Sequence, residues 1–234
     1  MARRRGPARG IAALACAALV AGSAPAQTPA KKAARPARAP ASTAAAASEP
    51  AAAADSARYA QRFAAECTPC HGPGGRSEKP GVPVLAGQHS FYVITQLFLF
   101  REGRRDNAEM SGVAKTMTDA DLRGFSAYIG TLAPQPAPVA PVAADPVRMS
   151  NGRALAQLHK CNFCHGADFA GGQQVPRIAG QREEYLSGTL QGFRTGKRPG
   201  YTQAMIGATA TISAEDLDTL AYYAAHFSAA PAAK

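Results

Sequence analysis

The sequence predicts an all-α protein built as two tandem domains, and three observations lead there. The pattern C-x-x-C-H occurs twice, as Cys67-Thr68-Pro69-Cys70-His71 and, 94 positions on (67 to 161), as Cys161-Asn162-Phe163-Cys164-His165. A self-comparison near that offset keeps matching after the motifs: 83–88 (PVLAGQ) pairs with 176–181 (PRIAGQ), Tyr92 with Tyr185, Phe100-Arg101 with Phe193-Arg194, and 103–105 with 196–198. No stretch sustains the period-two alternation of a half-buried strand, while apolar residues recur at helical spacing.

The repeated pentapeptide carries the chemistry. C-x-x-C-H is the spacing of c-type haem attachment: each cysteine can form a thioether to one vinyl group, and the next residue offers an imidazole to the iron. A redox dithiol of the C-x-x-C type needs no following histidine and sits near a βαβ pattern, which is absent here. A zinc site would need four ligands drawn together from the two motifs. The expected cofactors are therefore two covalently bound haem c groups. Cys67, Cys70 and His71 would hold one, and Cys161, Cys164 and His165 the other.

The N-terminal 26 residues carry Arg3, Arg4, Arg5 and Arg9, then an apolar run over 11–21 and Ala24-Pro25-Ala26. These are the charged, apolar and small-residue regions of a secretory signal peptide over 1–26, and the apolar run falls short of the ~20 residues of a spanning helix. Export implies the periplasm, where haem is joined to reduced cysteines. Removing the segment takes Cys16 with it and leaves four cysteines, all in the two motifs. Residues 27–54 are dominated by Ala and Pro and read as a disordered linker. It is an unstructured tail or, with the leader retained, a tether giving peripheral membrane association.

The first domain is assigned to 55–132 and the second to 148–230, with a Pro-rich spacer over 133–147 where neither helix nor strand is expected. Each copy is small for a core of its own, and a haem supplies apolar surface to pack against. Helices are expected over 55–66 and 150–159 leading into the motifs, and over 90–102 and 183–194. A last pair opens at Thr118-x-x-Asp121 and Ser213-x-x-Asp216, capping boxes by residue type. Irregular loops are expected between these helices.

An iron with His on one face needs an occupant on the other, and the repeat filters the options. Met110 and Met205 each lie eight residues before the capping residue of the last helix, at Thr118 and Ser213. Met117 pairs with Ile212 and reads as core, and Met149 has no equivalent. His89, His159 and His226 have no histidine counterpart in the other copy. Met110 and Met205 are thus the expected distal ligands, with ordinary core filling as the alternative for a flexible thioether. His/Met ligation gives a closed, six-coordinate iron of raised potential with no place for substrate. The carbonyls of Pro83 and Pro176 are expected near the proximal histidine Nδ1 atoms, fixing ring orientation. Tyr92, Tyr185, Arg101, Arg194, Arg104 and Lys197 are candidates for haem propionates, or else solvated helix ends.

The formal charge of +10 dissolves when partitioned. Residues 58–234 hold 18 positive and 14 negative side chains, a net +4, which haem propionates roughly cancel. Nucleic-acid binding is not supported.

With its two C-x-x-C-H motifs, two P-x-[LI]-A-G-Q segments and two methionines ahead of an S/T-x-x-D helix, the chain resembles the cytochrome c4 family over 58–230. The resemblance implies two mono-haem cytochrome c-like domains related by a pseudo-two-fold axis. It also implies electron carriage from a quinol-oxidising complex of the cytochrome bc1 type, or from a dehydrogenase, to a terminal oxidase. Glycine in the helix ahead of each motif accompanies a close helix crossing in that family. Gly152 stands there in copy two but Ala57-Arg58 in copy one, so the crossing is expected in the second domain and left open in the first. The alternative function is a dedicated cytochrome subunit of a periplasmic sulfide or alcohol dehydrogenase. A dihaem peroxidase needs an open iron face, which equal methionines argue against.

Overall fold

Each copy of the repeat folds as a helix crossing beside a C-x-x-C-H turn. The computed structural model describes residues 49–138, 143–198 and 203–228. The expected signal segment, residues 27–48 of the leader, part of the spacer and the last residues of the second domain lie outside them. The first copy comprises α1 (Glu49–Glu66), α2 (Thr68–His71), α3 (Ser90–Arg101), α4 (Ala108–Ala114) and α5 (Asp119–Thr131). The second comprises α6 (Pro146–Leu158), α7 (Cys161–His165), α8 (Glu183–Arg194), α9 (Ala204–Thr209) and α10 (Ala214–Ala225). Among the described residues there is no strand, only an isolated bridge between Gly172 and Val175. No helix among them is long and apolar enough to cross a membrane.

Two helices start earlier than expected, for local reasons. Helix α1 begins at Glu49 rather than at 55, because residues 51–54 are all alanine, the strongest helix former. The last six residues of the supposed 27–54 linker are therefore helical. Helix α6 begins at Pro146, inside the 133–147 spacer: Asp145 accepts hydrogen bonds from the Val147 and Arg148 N–H groups, and Pro146 fills the first turn, where its missing N–H costs nothing. Helices α4 and α9 occupy segments expected to be irregular.

The spacer is packed down. The Ala137 N–H donates to the Gly180 carbonyl at 2.7 Å, and Arg76 Nε to the Pro136 carbonyl at 2.9 Å. Ala137 is buried with Val84 and Ala86. The glycines of the two A-G-Q segments make room for it. Gly87 and Gly180 sit at φ +72° and +67°, and a Cβ on either would run into Pro134 or Pro136.

The first core gathers Tyr59 and Phe63 of α1, Leu97 and Phe100 of α3, Met117, and Leu122, Phe125 and Ile129 of α5. Tyr59 meets Phe125 edge-on with ring centroids 5.1 Å apart. The second gathers Ala156, Phe169, Ile212, Leu217, Leu220 and Tyr223. Met117 and Ile212 are both core residues, as their pairing in the repeat implies. Both domains have a close helix crossing. In the second, α6 approaches α10 where a Cβ on Gly152 would meet Tyr223. In the first the small residue has changed helix: Gly124 of α5 admits the ring of Tyr59 from α1.

Candidate haem sites

Both C-x-x-C-H segments form a single helical turn with the histidine at its end. Cys67 is the N-cap of α2, Pro69 stands in its first turn, and the His71 N–H donates to the Cys67 carbonyl at 2.9 Å. His71 and His165 are buried, while Cys70 and Cys164 are exposed and none of the four cysteines is in a disulfide. One turn thus presents two thiols and an imidazole from the same side of the chain.

The histidines are held in one tautomer. Nδ1 of His71 donates to the Pro83 carbonyl at 2.9 Å, and Nδ1 of His165 to the Pro176 carbonyl at 3.0 Å. A carbonyl can only accept, so Nδ1 carries the proton. Burial lowers both imidazoles below their ordinary value, outweighing the opposing effect of the carbonyl. Each ring is therefore neutral, with its lone pair on Nε2, which makes no hydrogen bond among the described residues. That is the state an iron ligand needs. The first cysteines are equally unlike redox nucleophiles. Burial, reinforced by Glu66 and opposed by Arg62, pushes the Cys67 thiol up to about 12, and burial raises Cys161 as well. Among the described residues no group of three or more His, Cys, Asp and Glu converges as a metal site, so the two motifs do not pool their ligands.

The methionines stand at the starts of the two short helices. Met110 is the third residue of α4, its N–H capped by the Asn107 side chain at 2.8 Å, and it packs half-buried against the first core. Met205 is the second residue of α9, and its carbonyl accepts from the Thr209 hydroxyl at 2.9 Å. The other histidines are engaged elsewhere. Nε2 of His89 donates to the Ala170 carbonyl at 2.8 Å, His159 ends α6, and His226 ends α10 with Nδ1 on the Tyr222 carbonyl.

The two sites are joined by contacts that nearly repeat under exchange of the copies. Gln181 accepts from the Val84 N–H at 2.7 Å and donates to the Val84 carbonyl at 2.9 Å. Gln88 does the same to Arg177, at 3.0 and 3.1 Å. His89 reaches Ala170, and its counterpart Arg182 reaches the Ser77 carbonyl at 3.3 Å. Arg105 donates to Gln96 and to the Tyr185 hydroxyl, and Arg198 to Thr189 and both the Tyr92 and Tyr185 hydroxyls. Burial alone would raise Tyr185, but the two guanidiniums outweigh it and lower the phenol, while burial raises Tyr92.

Sequence reasoning named Arg104 and Lys197, which are exposed, where the neighbouring Arg105 and Arg198 turn inward. Arg101 is paired with Asp119 and Glu102, and Arg194 is exposed. The two glutamines stand at matching places in the repeated segments 83–88 and 176–181. Their repetition in both copies is the signal the sequence carries, and their burial emerges only from the structure.

The cytochrome c family model matches residues 56–133. A cytochrome c4 of Thiocapsa roseopersicina is 34% identical over 168 residues, covering 67% of this chain and 84% of that protein. The chain belongs to the cytochrome c4 family. As a c4-type chain it is a dihaem electron-transfer cytochrome, with one haem c attached through Cys67 and Cys70 beside His71 and the other through Cys161 and Cys164 beside His165. The buried neutral histidines and unpaired thiols fit that group. The crystal structure of reduced recombinant cytochrome c4 from Pseudomonas stutzeri superposes with a TM-score of 0.65 at 28% identity, covering 76% of this chain and 98% of that one. A thiosulfate dehydrogenase electron acceptor of Thiomonas intermedia (strain K12) is 34% identical over 144 residues, covering 58% of this chain and 66% of that protein.

Proposed function

We propose that this c4-type cytochrome works in the periplasm, exported by its N-terminal segment, and relays single electrons from a quinol-oxidising complex of the cytochrome bc1 type or a dehydrogenase to a terminal oxidase. In this reading Met110 would hold the iron of the first haem together with His71, and Met205 that of the second together with His165. The observation that carries it is the equivalence of the two sites: each has a neutral buried histidine on a proline carbonyl and a methionine on a short helix ahead of the last one. Bound haem supplies the one-electron couple. The protein holds each imidazole in one tautomer and offers a sulfur that favours the reduced state. With both faces ligated, neither site takes a substrate, which separates this reading from a peroxidase.

Two measurements test it. The ferric protein shows the weak far-red band of Met-ligated haem at both irons, and Met110→Ala or Met205→Ala removes one share of that band and lowers the potential of that domain alone. A high-spin ferric signal in the unaltered protein, or variants with unchanged spectrum and potential, overturns the ligand assignment. The similarity to a thiosulfate dehydrogenase electron acceptor favours a second reading, a dedicated acceptor for one periplasmic dehydrogenase. Turnover with purified candidate partners separates the two: a free shuttle is re-oxidised by the oxidase after dissociating from its donor, whereas a dedicated subunit co-purifies with the dehydrogenase.

A further inference from the structure

The two glutamines touch the chain one residue beyond the prolines that hold the proximal histidines. The peptide unit joining Pro83 to Val84 is consequently bonded at both ends. Its carbonyl accepts the His71 Nδ1–H at 2.9 Å, and its N–H donates to Gln181 Oε1, from the other domain, at 2.7 Å. The unit joining Pro176 to Arg177 is bonded the same way, with His165 Nδ1–H at 3.0 Å on its carbonyl and Gln88 Oε1 at 3.0 Å on its N–H. Both glutamines are buried, Gln88 at 7% and Gln181 at 6% exposure. The return bonds, from Gln181 Nε2 to the Val84 carbonyl and from Gln88 Nε2 to the Arg177 carbonyl, fix each amide in place.

We propose that each glutamine is a positioning residue for the proximal histidine of the opposite domain, Gln181 acting on His71 and Gln88 on His165. Hydrogen bonds in series polarise one another. An acceptor on the peptide N–H leaves the carbonyl oxygen more negative, a more negative oxygen binds Nδ1–H more strongly, and Nε2 becomes a better donor to iron, which favours Fe(III). The same two side chains that join the domains therefore set part of each haem's potential from across the junction. The inference rests on the haem attachment of His71 and His165, and on neither the methionine ligands nor the identity of donor and acceptor.

The test uses the full haem-loaded chain. Each haem is followed separately in a mediator titration, through haem-methyl and proximal-histidine resonances assigned to its domain. Gln181→Leu removes the acceptor from Val84 and raises the Fe(II)/Fe(III) ratio of the first haem at fixed potential by about two- to threefold, which is about 18 to 28 mV at roughly 59 mV per tenfold for one electron. The second haem stays in place. Gln88→Leu does the converse. Gln181→Asn draws the amide back by one methylene and carries the same sign should the leucine variant fail to fold, and Gln181→Glu restores an acceptor oxygen and brings the first haem back to its starting potential or below. A simple clasp between domains moves stability without potential, or moves both haems alike. Either outcome, or a shift confined to the haem of the substituted glutamine's own domain, overturns the proposal. No partner protein enters the titration, so its result is independent of where the electrons go.

Discussion

Tyr59 and Tyr223 both press a ring against a glycine, but the glycine belongs to the last helix in the first domain and to the leading helix in the second. A methyl group added at Gly124 has nowhere to go except into the Tyr59 ring, whose hydroxyl is tied to the Ala120 carbonyl at 3.0 Å and to Asp121 at 3.2 Å. Gly124→Ala should therefore destabilise the first domain by about 1–3 kcal/mol, the usual range for overpacking. Denaturant unfolding in a double-mutant cycle with Tyr59→Ala checks the cause: the cost of the new methyl falls once the ring is gone, and an unchanged cost would mean that the clash lies elsewhere.

At the scale of elements, the two last helices are capped unequally. Thr118 and Asp121 form a reciprocal capping box on α5, whereas on α10 Ser213 accepts from the Asp216 N–H without the return bond. Asp121 also takes a guanidinium from Arg62, so one carboxylate ties α5 to α1. Burial pushes that carboxyl up, but the Thr118 hydroxyl and N–H together with Arg62 outweigh it and hold it well below the ordinary range. A carboxyl lowered on folding stabilises the native state above its unfolded value of about 3.9, and that contribution disappears as pH falls through the native value. The first domain should thus lose stability progressively from about pH 5 downward, and Asp121→Asn should flatten that dependence in unfolding curves recorded across the range. Thr118→Ala at neutral pH should cost about 1 kcal/mol for the loss of the N-cap.

Two domains of this size need each other. Each is small for an independent core, and the junction supplies buried amides, two inward-turned arginines and a packed spacer. Calorimetry on the unaltered protein should show the two domains unfolding together, and the double variant Gln88→Leu with Gln181→Leu should split the melting into two transitions. A single transition in the double variant would place the cohesion in the arginine–tyrosine contacts and the spacer instead. In that case Arg105→Gln together with Arg198→Gln, which removes the arginine–tyrosine bonds across the junction, is the change that uncouples them.

Much of this protein is legible residue by residue, because short covalent and capping patterns depend on neighbours in the chain. The two C-x-x-C-H motifs, the offset between the copies, the cap at Thr118 and the core positions Met117 and Ile212 all follow from spacing alone. The starts of α1 and α6 lie in segments whose overall composition reads as linker, and they are set by local signals, the alanine run at 51–54 and the Asp145-Pro146 pair. Other features rest on residues some 60 to 100 positions apart. That Gln181 reaches Val84, that Arg105 and Arg198 turn inward while Arg104 and Lys197 face water, and that Gly124 replaces the missing glycine of α1 depend on how two surfaces meet. A sequence pattern states which side chains can make such contacts; only packing selects which do, because burying one amide or guanidinium is favourable where a partner stands within hydrogen-bond reach and costly everywhere else.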